Sequence, residues 1–264
     1  FLNLEWPAMG DITGDVETAR ARLTPTGAPD ARAPALSPGA RIVDALRFVR
    51  RPVFVARPMA WGWPSASALL VLLALTLAAC SLLHFALEAI NSRAGFLPAR
   101  TEPPVTSLTE LIAPVLFAPV LEELLFRSWL SGRVAALRFV VYVVLAVVTL
   151  AVNVVVTDGE GGPLGIVVIV IVGAGLLHWF LTRKRDAAIP EWFIARFHWI
   201  VWGSALLFGL VHLGNHAALT NPLGILVVLP QTVGGLLLAY ARTRLGFGAA
   251  VVLHSAFNAV WFGT

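Results

Sequence analysis

Charged residues and cysteine are both scarce in this chain. Only 13% of its 264 residues are Asp, Glu, Lys or Arg, and 58% are hydrophobic. A soluble domain carries about 25% charged residues, so the composition excludes that class and predicts a polytopic membrane protein. The single Cys80 excludes an intrachain disulfide and, within its apolar run, is interpreted as a small core residue. The net charge of +4 comes from Arg-rich loops, which indicate membrane topology rather than nucleic-acid binding.

The amino-terminal part of the chain divides into two segments. Residues 1–40 combine several prolines with Ala, Gly and Thr and lack apolar periodicity, which predicts a disordered tail and no signal peptide. Residues 41–64 place arginines between apolar residues and end on Trp61 and Trp63. This pattern is typical of a basic segment on an anionic membrane face. Residues 65–264 then form the predicted transmembrane domain.

Apolar stretches of helical length follow one another along the transmembrane domain. They predict an all-α fold, a polytopic transmembrane helical bundle of about seven spans. Cationic residues concentrate on alternate loops, and only Arg93 and Arg100 fall in the predicted outer loops, so the N-terminus is predicted to be cytoplasmic. The predicted spans are 67–90, 107–131, 139–157, 163–182, 197–213, 222–241 and 246–263.

Three short motifs place ionisable or amide side chains inside predicted spans. A charge at membrane depth is costly, so its presence there indicates a function. Taken singly, each motif also fits a structural role: an ion pair within one helix, a satisfied histidine, or an amide between packed helices. Their joint occurrence favours acid–base chemistry on water inside a membrane. The motifs are Glu122-Glu123-Leu-Leu-Phe-Arg127, Phe208-Gly-Leu-Val-His212 and His254-Ser-Ala-Phe-Asn258.

In this order on successive membrane helices, the motifs resemble those of the CPBP intramembrane proteases. That family includes the CAAX prenyl-protein endopeptidases and bacterial relatives linked to bacteriocin processing and immunity. The resemblance covers residues 105–264 and includes the run from Gly235 to Gly246. It departs from the usual pattern at residues 139–182, which add two spans between the first two motifs. The resemblance implies an endopeptidase of the bacterial inner membrane acting on a membrane-associated protein or peptide.

The resemblance also implies catalytic roles. Glu122 would be the general base for a water molecule that His212 also holds. His254 and Asn258 would donate hydrogen bonds to the oxyanion of the tetrahedral intermediate. Glu123 would orient a histidine or pair with an arginine. We expect these side chains to surround one polar cavity the size of a water molecule.

Two supporting residues complete the implied site. Arg127 lies four residues after Glu123 and therefore on the same helix face, and Phe208 would pack beside the catalytic groups. Measured from their helix starts, the first two motifs lie at different depths in the membrane. We therefore predict a distortion of the second span near Pro114 and Pro119, since proline removes a backbone donor.

Three alternatives remain open. Glu122, His212 and His254 could bind zinc with an open fourth position, although no His-Glu-x-x-His motif occurs. The buried charges could instead line an ion path in a transporter or channel, or the protein could be a catalytically silent scaffold or immunity protein. The favoured interpretation needs no cofactor, with zinc as the alternative. The other histidines lie near predicted helix ends and are interpreted as interfacial or packing residues: His84, His178, His198 and His216.

Overall fold

The computed structural model describes residues 33–101, 106–156, 164–186 and 188–263. Most of the predicted tail, residues 1–32, therefore lies outside the described residues. The first helix begins at Pro38, just before the predicted end of the tail, and Ser37 caps it by accepting a hydrogen bond from the backbone N–H of Ala40.

Regular structure in the described ranges is helical, apart from isolated bridge residues such as the antiparallel pair Arg100 and His216. This confirms the all-α fold. Shorter helical turns occupy Ala113–Phe117, Ser128–Ser131, His212–Asn215 and Pro222–Val228. The α-helices are α1 (Pro38–Arg50), α2 (Trp63–Ala94), α3 (Leu108–Ile112), α4 (Ala118–Phe126), α5 (Val134–Val156), α6 (Leu164–Thr182), α7 (Glu191–Ala195), α8 (Phe197–Val211), α9 (Leu229–Arg244) and α10 (Phe247–Gly263).

Within the described chain, five helical segments are long and apolar enough to cross a membrane. The broken segment 108–131 and the shorter apolar helix α10 account for the other two of the seven predicted spans. The protein is therefore an integral membrane protein. The five are Trp63–Ala94, Val134–Asn153, Leu164–Thr182, Phe197–Asn215 and Pro222–Arg244.

The second predicted span is distorted near Pro114 and Pro119, as the sequence predicted. A wide π-helical turn, Ala113–Phe117, separates α3 from α4, and the backbone N–H of Ala118 bonds to the carbonyl of Ala113. The carbonyl of Pro114 would next require a donor from residue 119, but Pro119 has no N–H. The Pro114 carbonyl is thus left without a partner in its own helix. Such a carbonyl usually accepts a hydrogen bond from a side chain or another segment.

Helix α9 forms the centre of the bundle. It packs against α2, α8 and α10, and most of its residues are buried. Small residues on α8 and α9 permit the close approach of these two helices: a Cβ added to Gly209 of α8 would lie 2.1 Å from Thr232 Oγ1 of α9. A Cβ on Gly235 would similarly meet Phe208 Cδ1 at 3.1 Å. The helix that carries the second motif is therefore brought against the central helix α9 by glycines that allow these two helices to touch.

The basic segment after the tail is attached to the bundle on one side. Arg41 is 1% exposed, in contrast to the membrane-facing position expected for it. Its guanidinium donates to the Tyr240 hydroxyl at 3.3 Å, and that hydroxyl donates to Asp44 Oδ2 at 2.7 Å. Arg47 and Arg50 lie on the exposed side of α1, where they remain available to a membrane surface.

Helices α5 and α6 form an antiparallel hairpin in which each packs mainly on the other. A Cβ on Gly175 would lie 2.7 Å from Tyr142 Cβ, so the two helices are in close contact. The Tyr142 hydroxyl and His178 Nδ1 are 2.9 Å apart. The hairpin corresponds to the two extra spans, although α5 begins at Val134, five residues earlier than predicted.

Candidate active site

The two adjacent carboxylates of α4 occupy different environments. Glu123 and Arg127 are both fully buried, and Arg127 Nη1 donates to Glu123 Oε1 at 2.9 Å. Glu122, turned about 100° away on the helix, keeps 27% of its side chain exposed and lines a cavity. One carboxylate is therefore held inside the protein by a cation, while the other is accessible from the cavity.

His254 joins the two carboxylates from the neighbouring helix α10. It is 5% exposed, and its Nδ1 lies 3.0 Å from Glu123 Oε1. Because the carboxylate paired with Arg127 is an acceptor, the imidazole carries its proton on Nδ1. Its other nitrogen, Nε2, lies 3.6 Å from Glu122 Oε2. Glu123 thus orients His254 so that Nε2 faces the exposed carboxylate.

His212 is fixed by the backbone of the preceding helical turn. Its Nδ1 lies 2.7 Å from the carbonyl oxygen of Phe208, which can only accept, so Nδ1 donates the hydrogen. In the neutral ring, Nε2 is then a hydrogen-bond acceptor. His212 lines the same cavity as Glu122 and His254.

Phe208 packs among the ionisable residues of the site. Its ring centroid is 4.7 Å from that of His212 and 5.8 Å from that of His254. The Arg127 guanidinium carbon lies 3.8 Å from the centre of the same ring, in a cation–π contact. Phe208 therefore contacts both histidines while it covers a face of the buried cation.

Asn258 lies one turn after His254 and contacts the distorted span. Its Nδ2 donates to the carbonyl of Pro114 at 2.7 Å, the carbonyl that the prolines leave without a helical partner. A carboxamide nitrogen carries two hydrogens, so one donor of Asn258 holds the π-helical turn and the second is available to the cavity that Asn258 also lines.

The carboxyl end of α4 is held by its neighbours. Ser204 Oγ donates to the carbonyl of Phe126 at 2.7 Å. Arg242 Nε donates to the carbonyl of Arg127 at 2.9 Å, and its Nη2 donates to that of Ser128 at 3.1 Å. These bonds satisfy carbonyls that a helix end leaves without partners, and they keep the Glu122-Glu123 pair at a fixed position.

The cavity has a volume of about 620 Å³, much larger than the water-sized cavity expected. Some polar lining residues were not predicted for the site. Gln231 on α9 is one of them, and its buried Oε1 has no hydrogen-bond partner in the described residues. The sequence feature that could have indicated Gln231 is the presence of an amide side chain within a largely apolar span. The other unpredicted polar residues of the lining include His84 and His216, which the sequence predicted to be interfacial or packing residues. His84 also packs against Trp261.

The zinc alternative requires three ligands that converge. In the described part of the chain, no group of three His, Cys, Asp or Glu side chains is placed to hold a metal ion. In particular, His254 already directs Nδ1 to Glu123 and Nε2 towards Glu122.

The fold and the site define a class: polytopic helical membrane proteins with a carboxylate–imidazole site that opens on an internal cavity. A family model described as Type II CAAX prenyl endopeptidase Rce1-like matches residues 104–190 and 179–260, more than half of the chain. The chain belongs to this family and is a CAAX-type intramembrane protease, which confirms the resemblance to the CPBP proteases. No curated protein and no solved structure matches the chain.

Proposed function

We propose that this protease hydrolyses a peptide bond of a membrane-associated protein or peptide with a water molecule activated by Glu122. The observation that carries the proposal is the unequal placement of the two carboxylates. Glu123 is engaged by Arg127 and His254, whereas Glu122 faces the cavity. A general base must reach the water that it deprotonates, and Glu122 is the carboxylate of this pair that meets the requirement.

His212 is the second group proposed to hold the attacking water. With Nδ1 bonded to the Phe208 carbonyl, Nε2 can accept one hydrogen of the water while Glu122 accepts the other. The water oxygen then keeps a lone pair for the scissile carbonyl carbon. Glu122 takes one proton as the C–O bond forms and later gives it to the leaving amine as the C–N bond breaks.

His254 and Asn258 are proposed to stabilise the oxyanion. His254 would donate from Nε2 in its imidazolium form while its Nδ1 stays bonded to Glu123. Asn258 would donate its second amide hydrogen while the first stays on the Pro114 carbonyl. Donors that are fixed before the reaction stabilise developing charge most effectively, and both residues are fixed here by hydrogen bonds, His254 to Glu123 and Asn258 to the Pro114 carbonyl. No metal ion takes part in this mechanism.

The cavity supports a peptide substrate rather than water alone. Its volume falls within the roughly 300–1,000 Å³ usual for ligand pockets. The α10 side of the cavity carries Phe257, Trp261 and Phe262, and the rings of Phe257 and Trp261 stack at 5.7 Å. Aromatic surfaces beside buried polar groups suit an apolar peptide segment that approaches from the bilayer.

The test of this function is a comparison of peptide termini in cells. Cells that produce the wild-type protein, Glu122→Gln or the control Glu191→Gln are compared by quantitative terminal proteomics. Glu191 lies on α7 and does not line the cavity. We expect a set of new termini in membrane-associated proteins with the wild type and Glu191→Gln, and its absence with Glu122→Gln. Identical termini in all three strains would refute proteolysis by Glu122.

We also propose that the protein lies in the bacterial inner membrane with its N-terminus in the cytoplasm, as the distribution of arginines supports. In a Cys80→Ser background, an impermeant thiol reagent should label Ser92→Cys from outside the cell and Arg185→Cys only after the membrane is opened. Labelling of both positions from the same side would contradict this orientation.

A further inference from the structure

A second cavity lies between the α5–α6 hairpin and the ends of α4 and α9. It has a volume of about 660 Å³ and is separate from the site above. Four cationic side chains line it, and its lining includes no Asp or Glu in the described chain. The four are Arg133, Arg183, Lys184 and Arg242.

The positive charge of this cavity is not cancelled by nearby carboxylates. Asp186 follows the lining residues Arg183 and Lys184 in the sequence, but it is paired with Arg138, and with Arg185 at 3.6 Å. Glu123 attracts Arg242 but already binds Arg127, and Arg133 repels Arg242. An anion would relieve this repulsion between like charges.

A buried hydroxyl in the lining also lacks a partner. Ser128 Oγ has no hydrogen-bond partner among the described residues, although its backbone carbonyl accepts from Arg242. A buried hydroxyl without a partner is unfavourable and points to a missing acceptor or donor. A phosphate oxygen close to Arg242 would supply that acceptor.

Most of the remaining lining is apolar, and part of it belongs to the hairpin. It includes Phe139, Leu176, Trp179 and Phe247. A free inorganic anion would make no favourable contact with these apolar side chains, whereas an acyl chain would bury them. The cationic loops that border the cavity belong to the side predicted to be cytoplasmic, where anionic lipid head groups are concentrated.

We infer that this cavity binds an anionic phospholipid, with the phosphate among the four cations and an acyl chain along the hairpin. The lipid would join the hairpin to the protease core, which otherwise meets α5 mainly at the turn Ser128–Ser131. It would also lie next to the arginine that holds the end of α4.

The test is native mass spectrometry of the full chain, purified in detergent and titrated with phosphatidylglycerol or phosphatidylcholine. We expect one phosphatidylglycerol to be retained in preference to phosphatidylcholine. Arg133→Gln/Lys184→Gln should weaken this binding roughly 25-fold, at about a factor of five per charge. The matched control Arg185→Gln removes a neighbouring cation that does not line the cavity and should bind as the wild type does.

Three results would overturn the inference. They are equal retention of the two lipids, unchanged binding by the double variant, and equal protection from thermal unfolding by inorganic phosphate and phosphatidylglycerol at the same phosphate concentration. The last result would assign the cavity to a free anion. Should the double variant not fold, Lys184→Gln alone is measured, with an expected loss of about fivefold.

Discussion

Helices α9 and α6 are both apolar and long enough to help cross a bilayer, yet their surroundings differ completely. Within the most apolar 18 residues of each span, 56% of the α9 segment is buried inside the protein, but only 6% of α6 is buried. The α9 segment carries Gln, Thr, Tyr and paired glycines, whereas α6 is largely Val, Ile, Leu and Gly. A span that faces other helices can therefore hold several polar groups with partners. A span that faces lipid holds few, and in α6 His178 finds its partner on the neighbouring helix of the hairpin.

The same difference separates two ion pairs between an arginine and a carboxylate. Arg127 and Glu123 are both 0% exposed beside α9, whereas Arg138 and Asp186 at the base of the hairpin are 38% and 22% exposed. A buried pair is costly to break because the remaining charge stays in a low dielectric. An exposed pair is screened by water and contributes little.

The largest expected contrast comes from removing one cation in each region. Arg127→Met should lower the free energy of unfolding by about 3–5 kcal/mol, because Glu123 stays buried without the cation that balances its charge. Arg138→Met should lower it by no more than about 1 kcal/mol. Thermal unfolding of both purified variants in detergent measures the difference, and equal losses would show that the hairpin base is as buried as the core.

A smaller contrast comes from adding a methyl group to a glycine in each region. Gly209→Ala places Cβ against Thr232 Oγ1 and should cost about 1–3 kcal/mol through overpacking. Gly173→Ala in α6 has open space around it and should be neutral or up to about 1 kcal/mol stabilising, since Ala favours helix. The unfolding temperatures of the two variants give the comparison. A stable Gly209→Ala protein would mean that α8 and α9 do not touch there.

The smallest effect is expected inside the hairpin. Tyr142→Phe removes the hydrogen bond to His178, which should cost about 0.6 kcal/mol, as side-chain hydrogen bonds between membrane helices do on average. Proteolysis should be unchanged, because Tyr142 lines neither cavity. A loss of activity that exceeds the loss of folded protein would show that the hairpin takes part in the reaction.

Much of this fold could be predicted from sequence because hydropathy and helical periodicity are local. Apolar runs marked the spans, and the spacing of four residues correctly placed Glu123 beside Arg127. The distortion at Pro114 was also predicted, since it follows from the missing donor of proline.

Contacts between distant segments could not be predicted in the same way. The bond from Asn258 to the Pro114 carbonyl depends on how α10 crosses the second span. The burial of Arg41 depends on Tyr240, far along the chain, and the size of the cavity depends on how α2 and α9 pack around it. Gln231 likewise became a site residue only when its helix was placed.

The central claim, that Glu122 activates the water without a metal ion, is tested most directly by the turnover of purified protein in liposomes. The substrate is a synthetic peptide that spans a cleavage site found in the comparison of termini. Glu122→Gln should reduce turnover at least about 10²–10⁴-fold, the contribution of a general base. Glu191→Gln and exhaustive chelation should leave it unchanged. Turnover that survives in Glu122→Gln, or that disappears on chelation and returns with one equivalent of zinc, would contradict the account.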